Sequence, residues 1–371
     1  MAKARTPGEP PSTPSNGHRS GGSKTQAAAS PPKGSVEKFY AELDRCWATM
    51  ESGDLEEAKR RALKLLRTDG DSPELYVLLG MISSGEGEIE EALQHYQHAI
   101  EIDEHYVEPL LCAAELYLWD IEDFEKAVEL CEKALDHAEE EEEFVEALLL
   151  KAEGEALLGK ESAAFASLSE LPDILLGDPG YHLRAGRLLL DLGHPDDAES
   201  HFQRALEIEP DLADALHGLG VCASVRNDRK GMIAFFQKVR AVDLKMPTPP
   251  WAVSSEEFSQ IVSESVDKLP EQIRKLIGNV PVIATDYPSA ELIADGTDPR
   301  LLGLFSGVPH AEKPTVGGVP HLDTILLFQR NLERVAMSRE ELEHEIEITV
   351  VHEAGHFFGL SDEQLEALGF A

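Results

Sequence analysis

Near the end of this 371-residue chain, three residues with metal chemistry stand together in the string His352-Glu353-Ala354-Gly355-His356. On a helix the i, i+4 spacing puts both imidazoles on one face, one turn apart, a span that suits a single zinc ion. Glu353 projects from a neighbouring position, where its carboxylate can take a proton from water. Gly359 comes three residues after His356, where a helix break permits the reversal that returns Asp362 to the metal. The full pattern is H-E-x-x-H-x-x-G-x-x-D. It supplies three protein ligands, His352, His356 and Asp362, and leaves a fourth position open, as in a catalytic rather than a structural zinc site. Each residue also has a plainer reading. The histidines could be surface residues of an amphipathic helix, Glu353 an ordinary helix acid, and Asp362 an acid favoured by the dipole of a following helix.

These residues need a scaffold, and the segment 254–371 reads as mixed α and β. Ser254 with Glu257 forms a capping box for a helix ending near Leu269-Pro270, and a short helix follows to Gly278. Val280–Thr285, Leu301–Phe305 and Leu322–Phe328 are strand candidates. Ser338 with Glu341 starts a long helix reaching about Phe358, with Gly359 at the C′ position. Ser361 and Gln364 then cap a last short helix.

The segment from about Phe258 to Gly369 resembles the bacterial minimal zincin-like metallopeptidases. The resemblance rests on Asp298-Pro299-Arg300-Leu301-Leu302-Gly303-Leu304-Phe305, on Asp323-Thr324-Ile325 and on the string from Thr349 through His352-Glu353 and His356 to Asp362. It implies a compact α+β fold, zinc held by His352, His356 and Asp362, and Glu353 as the catalytic acid/base. It also implies an extended substrate paired with an edge strand, for which Leu322–Phe328 is the candidate.

Ahead of this domain, from about residue 39, a 34-residue period runs to residue 246. In the unit 179–212, Gly186, Ala198, Phe202, Ala205 and Pro210 mark the register, and Gly220, Phe236 and Val239 repeat it. The unit 73–106 shows Gly80, Ala92, Tyr96 and Ala99 at matching positions. Two intervening units are looser: Ala127, Cys131 and Ala134 hold the spacing after an insertion, and the next relies on Ala163 or Ala164. These residues resemble the tetratricopeptide repeat, a helix–turn–helix unit. About six repeats fit residues 35–246, and the resemblance implies a solenoid with a groove for a protein or peptide partner. The run Lys245 to Pro250 ends the periodicity, so residues 247–253 read as a linker. Residues 1–34, rich in Pro, Gly and Ser, read as a disordered tail.

Composition narrows the function. The net charge is −37, which excludes the clustered basic surface that nucleic-acid binding needs. No run approaches 18 apolar residues and no apolar leader opens the chain, so neither a membrane partner nor export is expected. The four cysteines, Cys46, Cys112, Cys131 and Cys222, lie at helical positions of the repeats and suit buried thiols in a reducing cytoplasm. The resulting expectation is a mainly α protein, a tetratricopeptide α-solenoid followed by a small α+β zincin-like domain. Its expected function is zinc-dependent peptide-bond hydrolysis with the repeats recruiting a protein. The alternative is a metal-binding scaffold whose domain hydrolyses little.

Overall fold

A bare backbone position in one helix and an aromatic ring in the next decide how the repeats pack. The computed structural model describes residues 33–69, 71–172, 177–268, 271, 274, 280–307, 323–361 and 364. The tail through residue 32, the short helix expected after Leu269-Pro270, and Asp362 lie outside the described residues. Helices come in six antiparallel pairs: α1 (Lys33–Glu51) with α2 (Leu55–Asp69), α3 (Pro73–Gly85) with α4 (Ile89–Ile102), and α5 (Val107–Trp119) with α6 (Phe124–His137). The other three are α7 (Glu141–Leu157) with α8 (Glu161–Ser169), α9 (Pro179–Asp191) with α10 (Pro195–Ile208), and α11 (Ala213–Val225) with α12 (Arg229–Asp243).

Gly80, Gly186 and Gly220 explain the register. A Cβ on them would fall 2.3 Å from a ring carbon of Tyr96, 2.7 Å from one of Phe202 and 2.4 Å from one of Phe236. Each aromatic of the second helix therefore lies directly on the backbone of the first. Ala92, Ala99, Ala198 and Ala205 are fully buried where the helices approach. In the third pair Ala127, Cys131 and Ala134 do the same work, and in the fourth it is Ala164 that is buried. That fourth pair has a different lock: Gly154 faces Val128 and Leu118 of the preceding pair instead of an aromatic of its own. The turns keep the period as well. Gly53, Gly87, Glu122, Gly159, Gly193 and Asn227 each hold a positive φ, between 58° and 86°. Among the described residues no helix is long and apolar enough to cross a membrane.

By packing, the chain divides after Pro210 into two units. The first contains the five pairs α1–α10. The second begins at Asp211 and contains the pair α11–α12 together with everything C-terminal to it. Its further elements are α13 (Ser255–Lys268), β1 (Val282–Thr285), α14 (Ala290–Ala294), β2 (Gly303–Ser306), β3 (Thr324–Phe328), α15 (Gln329–Val335) and α16 (Arg339–Phe357). The described strands form one sheet in the order β1-β3-β2. β1 runs parallel to β3, with Val282 opposite Ile325, and β2 runs antiparallel to it, with Gly303 opposite Leu327.

This order corrects one expectation. The strand expected at Leu322–Phe328 exists as β3, but it is the central strand and cannot be an edge for substrate. Its run Thr324-Ile325-Leu326-Leu327-Phe328 has Ile325, Leu327 and Phe328 buried, the pattern of a strand enclosed by neighbours.

Beneath the sheet, Phe258 and Ile261 of α13 meet Ile325 and Leu327 of β3 and the apolar face of α16. A buried acid secures the stretch entering α13. The Glu333 carboxylate, fully buried, accepts from the Val253 N–H at 3.1 Å, Gln329 Nε2 at 2.8 Å and Arg330 Nη1 at 2.7 Å. Its carbonyl takes the Trp251 indole N–H at 2.9 Å.

The glycine–aromatic lock is testable. Gly186→Ala should destabilise the repeats by about 1–3 kcal/mol, the usual cost of overpacking. Thermal unfolding followed by circular dichroism should show part of that loss recovered when Phe202→Leu is added, and no recovery would mean the ring is not what the new methyl meets.

Candidate metal and catalytic centre

The site is built on α16, whose start and stop are both written in local chemistry. Ser338 Oγ accepts the Glu341 N–H at 3.1 Å, and the Glu341 carboxylate reaches back to the Met337 N–H at 2.8 Å. Orphan N–H groups at the helix start are thereby satisfied. Along the helix, Leu342, Ile346, Thr349, Val350, Glu353, Ala354 and Phe357 are buried, a stripe at helical spacing turned toward the core. Glu353 belongs to this stripe. It is only 6% exposed, which removes the reading of it as an ordinary surface acid. His352 and His356 sit on the flank of the stripe and are half-buried.

The helix ends in a Schellman turn. Gly359 adopts φ +84°, its N–H donates to the His356 carbonyl at 2.9 Å, and the Leu360 N–H donates to the Gly355 carbonyl at 3.1 Å. This turn has a consequence for the site. It brings the Leu360 carbonyl to 3.0 Å from Nδ1 of His356. A carbonyl can only accept, so Nδ1 carries the proton and Nε2 of His356 is left as the acceptor nitrogen. That Nε2 lies 3.0 Å from Nε2 of His352. Two nitrogens bound to one tetrahedral zinc at 2.0–2.1 Å stand about 3.3 Å apart, so the pair is already near ligand spacing. The backbone carbonyl behind His356 is also the kind of outer partner that fixes a ligating imidazole.

Among the described residues no group of three His, Cys, Asp or Glu side chains comes together as a metal cage. The described part of the donor set is His352 and His356, and the third expected ligand, Asp362, lies outside the described residues. The capping pair just before and after it is present: the Ser361 N–H donates to Gln364 Oε1 at 3.0 Å, and the Gln364 N–H to Ser361 Oγ at 3.4 Å.

One residue of the site has no role in the sequence reading. Gly303, the first residue of β2, lies directly against α16. A Cβ there would sit 2.8 Å from Glu353 Cγ, 2.9 Å from Glu353 Oε1 and 2.8 Å from the Thr349 methyl. Only a residue without a side chain lets the strand pass so close to the buried carboxylate. The available signal was a glycine opening a strand candidate, and only the packing partner shows what it is for. Two aromatics hold the same approach further along, Phe305 of β2 and Phe357 of α16, edge to face at 5.8 Å. The segment feeding β2 is fixed by Asn331 of α15, whose Nδ2 donates to the carbonyls of Pro299 at 2.8 Å and Leu301 at 2.7 Å. The Phe328 N–H adds a bond to the Leu302 carbonyl at 2.9 Å.

No curated protein matches the chain. Among solved structures, a Pseudomonas aeruginosa protein, pilF, is 17% identical, with 62% of this chain and 99% of that one covered at a TM-score of 0.49. PilW, described as a widely conserved type IV pilus biogenesis factor, is 16% identical, with 55% and 92% covered at 0.49. YrrB, described as a TPR protein with an unusual peptide-binding site, is 22% identical, with 50% and 93% covered at 0.40. Residues 73–106 and 179–212 each match a tetratricopeptide repeat model. Residues 277–370, which contain the His352-Glu353-His356 helix, match the family model described as a zincin-like metallopeptidase.

Proposed function

We propose that this chain is a zinc-dependent metallopeptidase that hydrolyses peptide bonds in a protein substrate. The observation that carries this reading is the pair of imidazole Nε2 atoms 3.0 Å apart on a helix end, with buried Glu353 between them in sequence. His352, His356 and Asp362 would hold the metal. A zinc ion bound there would supply Lewis acidity. Glu353 acts as general base and acid, taking a proton from the attacking water and returning it to the leaving amine. The Leu360 carbonyl keeps His356 in the tautomer that offers Nε2. Contact with Gly303 limits where the Glu353 carboxylate can go, so the base is held in place before substrate arrives.

The substrate strand in this reading is β2, not β3. Among the described residues β2 is an outer strand of the sheet, and it is the one that touches Glu353. An extended peptide pairing along its outer side would pass the carboxylate by main-chain hydrogen bonding, which is tolerant of sequence. The repeats supply selection by recruiting a protein substrate or partner, the use implied by tetratricopeptide arrays. All four cysteines are thiols, which supports a reducing, cytoplasmic setting.

Three variants test the reading. The full-length protein should hold about one zinc per chain, and His352→Ala or His356→Ala should lower that content because each removes one of three protein ligands. Glu353→Gln should keep the metal and lose hydrolysis of an unstructured protein by about 10²–10⁴-fold, the range of a general base. Equal turnover in Glu353→Gln would place the chemistry elsewhere.

Gly303→Ala separates position from identity. The added methyl must displace Glu353 or Thr349, so kcat should fall by about 10²-fold while zinc content stays at the wild-type level. Metal analysis beside steady-state kinetics checks it, and an unchanged kcat would show that the strand does not constrain the base.

A further inference from the structure

The sixth helix pair does more than end the array. Its residues reach the zincin-like domain at several points. His217 of α11 bonds through Nε2 to the Asp298 carboxylate at 2.8 Å, and Asp214, one turn earlier, pairs with the Arg300 guanidinium. Arg334 Nη1 donates to Asp243 Oδ2 at 2.9 Å, and its Nη2 lies 2.7 Å from Oδ1; Asp243 is 1% exposed. The Tyr287 hydroxyl donates to the Asp243 carbonyl at 2.9 Å, and Arg240 Nε to the Pro288 carbonyl at 2.9 Å. Arg229 reaches the Asp295 carbonyl at 2.7 Å.

Two of these links fall on the residues that lead into β2. Asp298 and Arg300 are held by α11 on one side, and the carbonyls of Pro299 and Leu301 are held by Asn331 on the other. Two residues later comes Gly303, in contact with Glu353. The chain from His217 to the carboxylate therefore has little slack. His217 is itself fixed, its ring stacked on Phe236 of α12 at 5.6 Å, and Phe236 is the ring locked onto Gly220. Burial alone would raise the Asp298 carboxyl. The hydrogen bond and charge of His217, the Arg300 N–H and the Arg300 guanidinium outweigh it and hold the group below the usual carboxylate range, so it is ionised and accepts.

We propose that His217, with Asp214, is a positioning residue of the zincin-like site: the sixth repeat seats the segment 298–302 and through Gly303 sets the place of Glu353. The catalytic consequence rests on the peptidase reading above, whereas the mechanical link does not. On this view the last repeat is part of the site's scaffold, and the array and the domain share it.

The test uses the full chain with His217→Ala and His217→Gln. Both lose the stacking on Phe236, but glutamine keeps an N–H donor for Asp298, so their difference isolates the hydrogen bond. Amide deuterium exchange is read at residues 301–307 and 349–357, with helix content by circular dichroism and zinc content measured alongside. In His217→Ala exchange at residues 301–307 should speed up about tenfold, as expected for loss of a charge-assisted bond that closes a local opening. His217→Gln should return most of that protection, with helix and zinc content unchanged throughout. In the hydrolysis assay kcat should fall in His217→Ala at constant KM and recover in His217→Gln. Wild-type exchange in His217→Ala, or equal behaviour of the two variants, overturns the proposal. If wild type shows no hydrolysis while the exchange difference is present, the positioning link stands and the peptidase reading falls.

Discussion

Everything in the candidate site depends on a strand being able to lie against a helix with nothing between them. β2 meets α16 at Gly303, and the space a methyl would take there belongs to the Glu353 side chain. A carboxylate on the core-facing stripe of a helix is costly unless its surroundings hold it, because burial disfavours a charge. The zincin-like domain gives that carboxylate its place locally. Bare backbone gives Glu353 room, the Phe305–Phe357 contact keeps the two elements together, and the histidines are left on the flank where a ligand can reach them. The same closeness that admits the acid also fixes it.

The features legible in the sequence are those set by neighbours in the chain. The spacing of His352, Glu353 and His356 is a helical fact, and so is the stop at Gly359. Capping by Ser338 with Glu341 needs three residues and no tertiary contact. The repeats are legible because in three hairpins the glycine and its aromatic stand the same distance apart in sequence, Gly80 with Tyr96, Gly186 with Phe202 and Gly220 with Phe236. What escaped is non-local. The order of strands in the sheet depends on which segment inserts between two others, and the unbroken apolar run Ile325–Phe328 marks a buried strand without naming its neighbours. Helix α15 hid for a different reason: Gln329, Asn331 and Glu333 are polar yet buried, so a hydrophobic period does not reveal it. Their hydrogen bonds to distant backbone groups are what make that burial tolerable.

The division of the chain shows a similar tension between pattern and packing. The 34-residue register runs through Asp211 without interruption, since each repeat is locally like the one before. Packing nevertheless separates the units there, because α11 and α12 spend their charged groups on the zincin-like domain. Asp243 makes this concrete. It ends the last repeat helix, it is almost fully buried, and the guanidinium on it comes from α15. A proline run follows it in the sequence, yet the groups that neutralise it lie on the far side of that run. Punctuation in a chain marks where regular structure stops, and says little about where an interface stops.

The lock between Gly80, Gly186 or Gly220 and its aromatic also constrains how these repeats could have diverged. Neither partner can change freely while the other remains: a side chain on the glycine collides with the ring, and a smaller ring leaves a void over bare backbone. A lineage leaving this state must shrink the ring before it enlarges the glycine, crossing a less stable intermediate on the way. The fourth pair, in which Gly154 faces Val128 and Leu118 of its neighbour, has reached a different solution. In such an array a change at either partner of the lock constrains what the other can become.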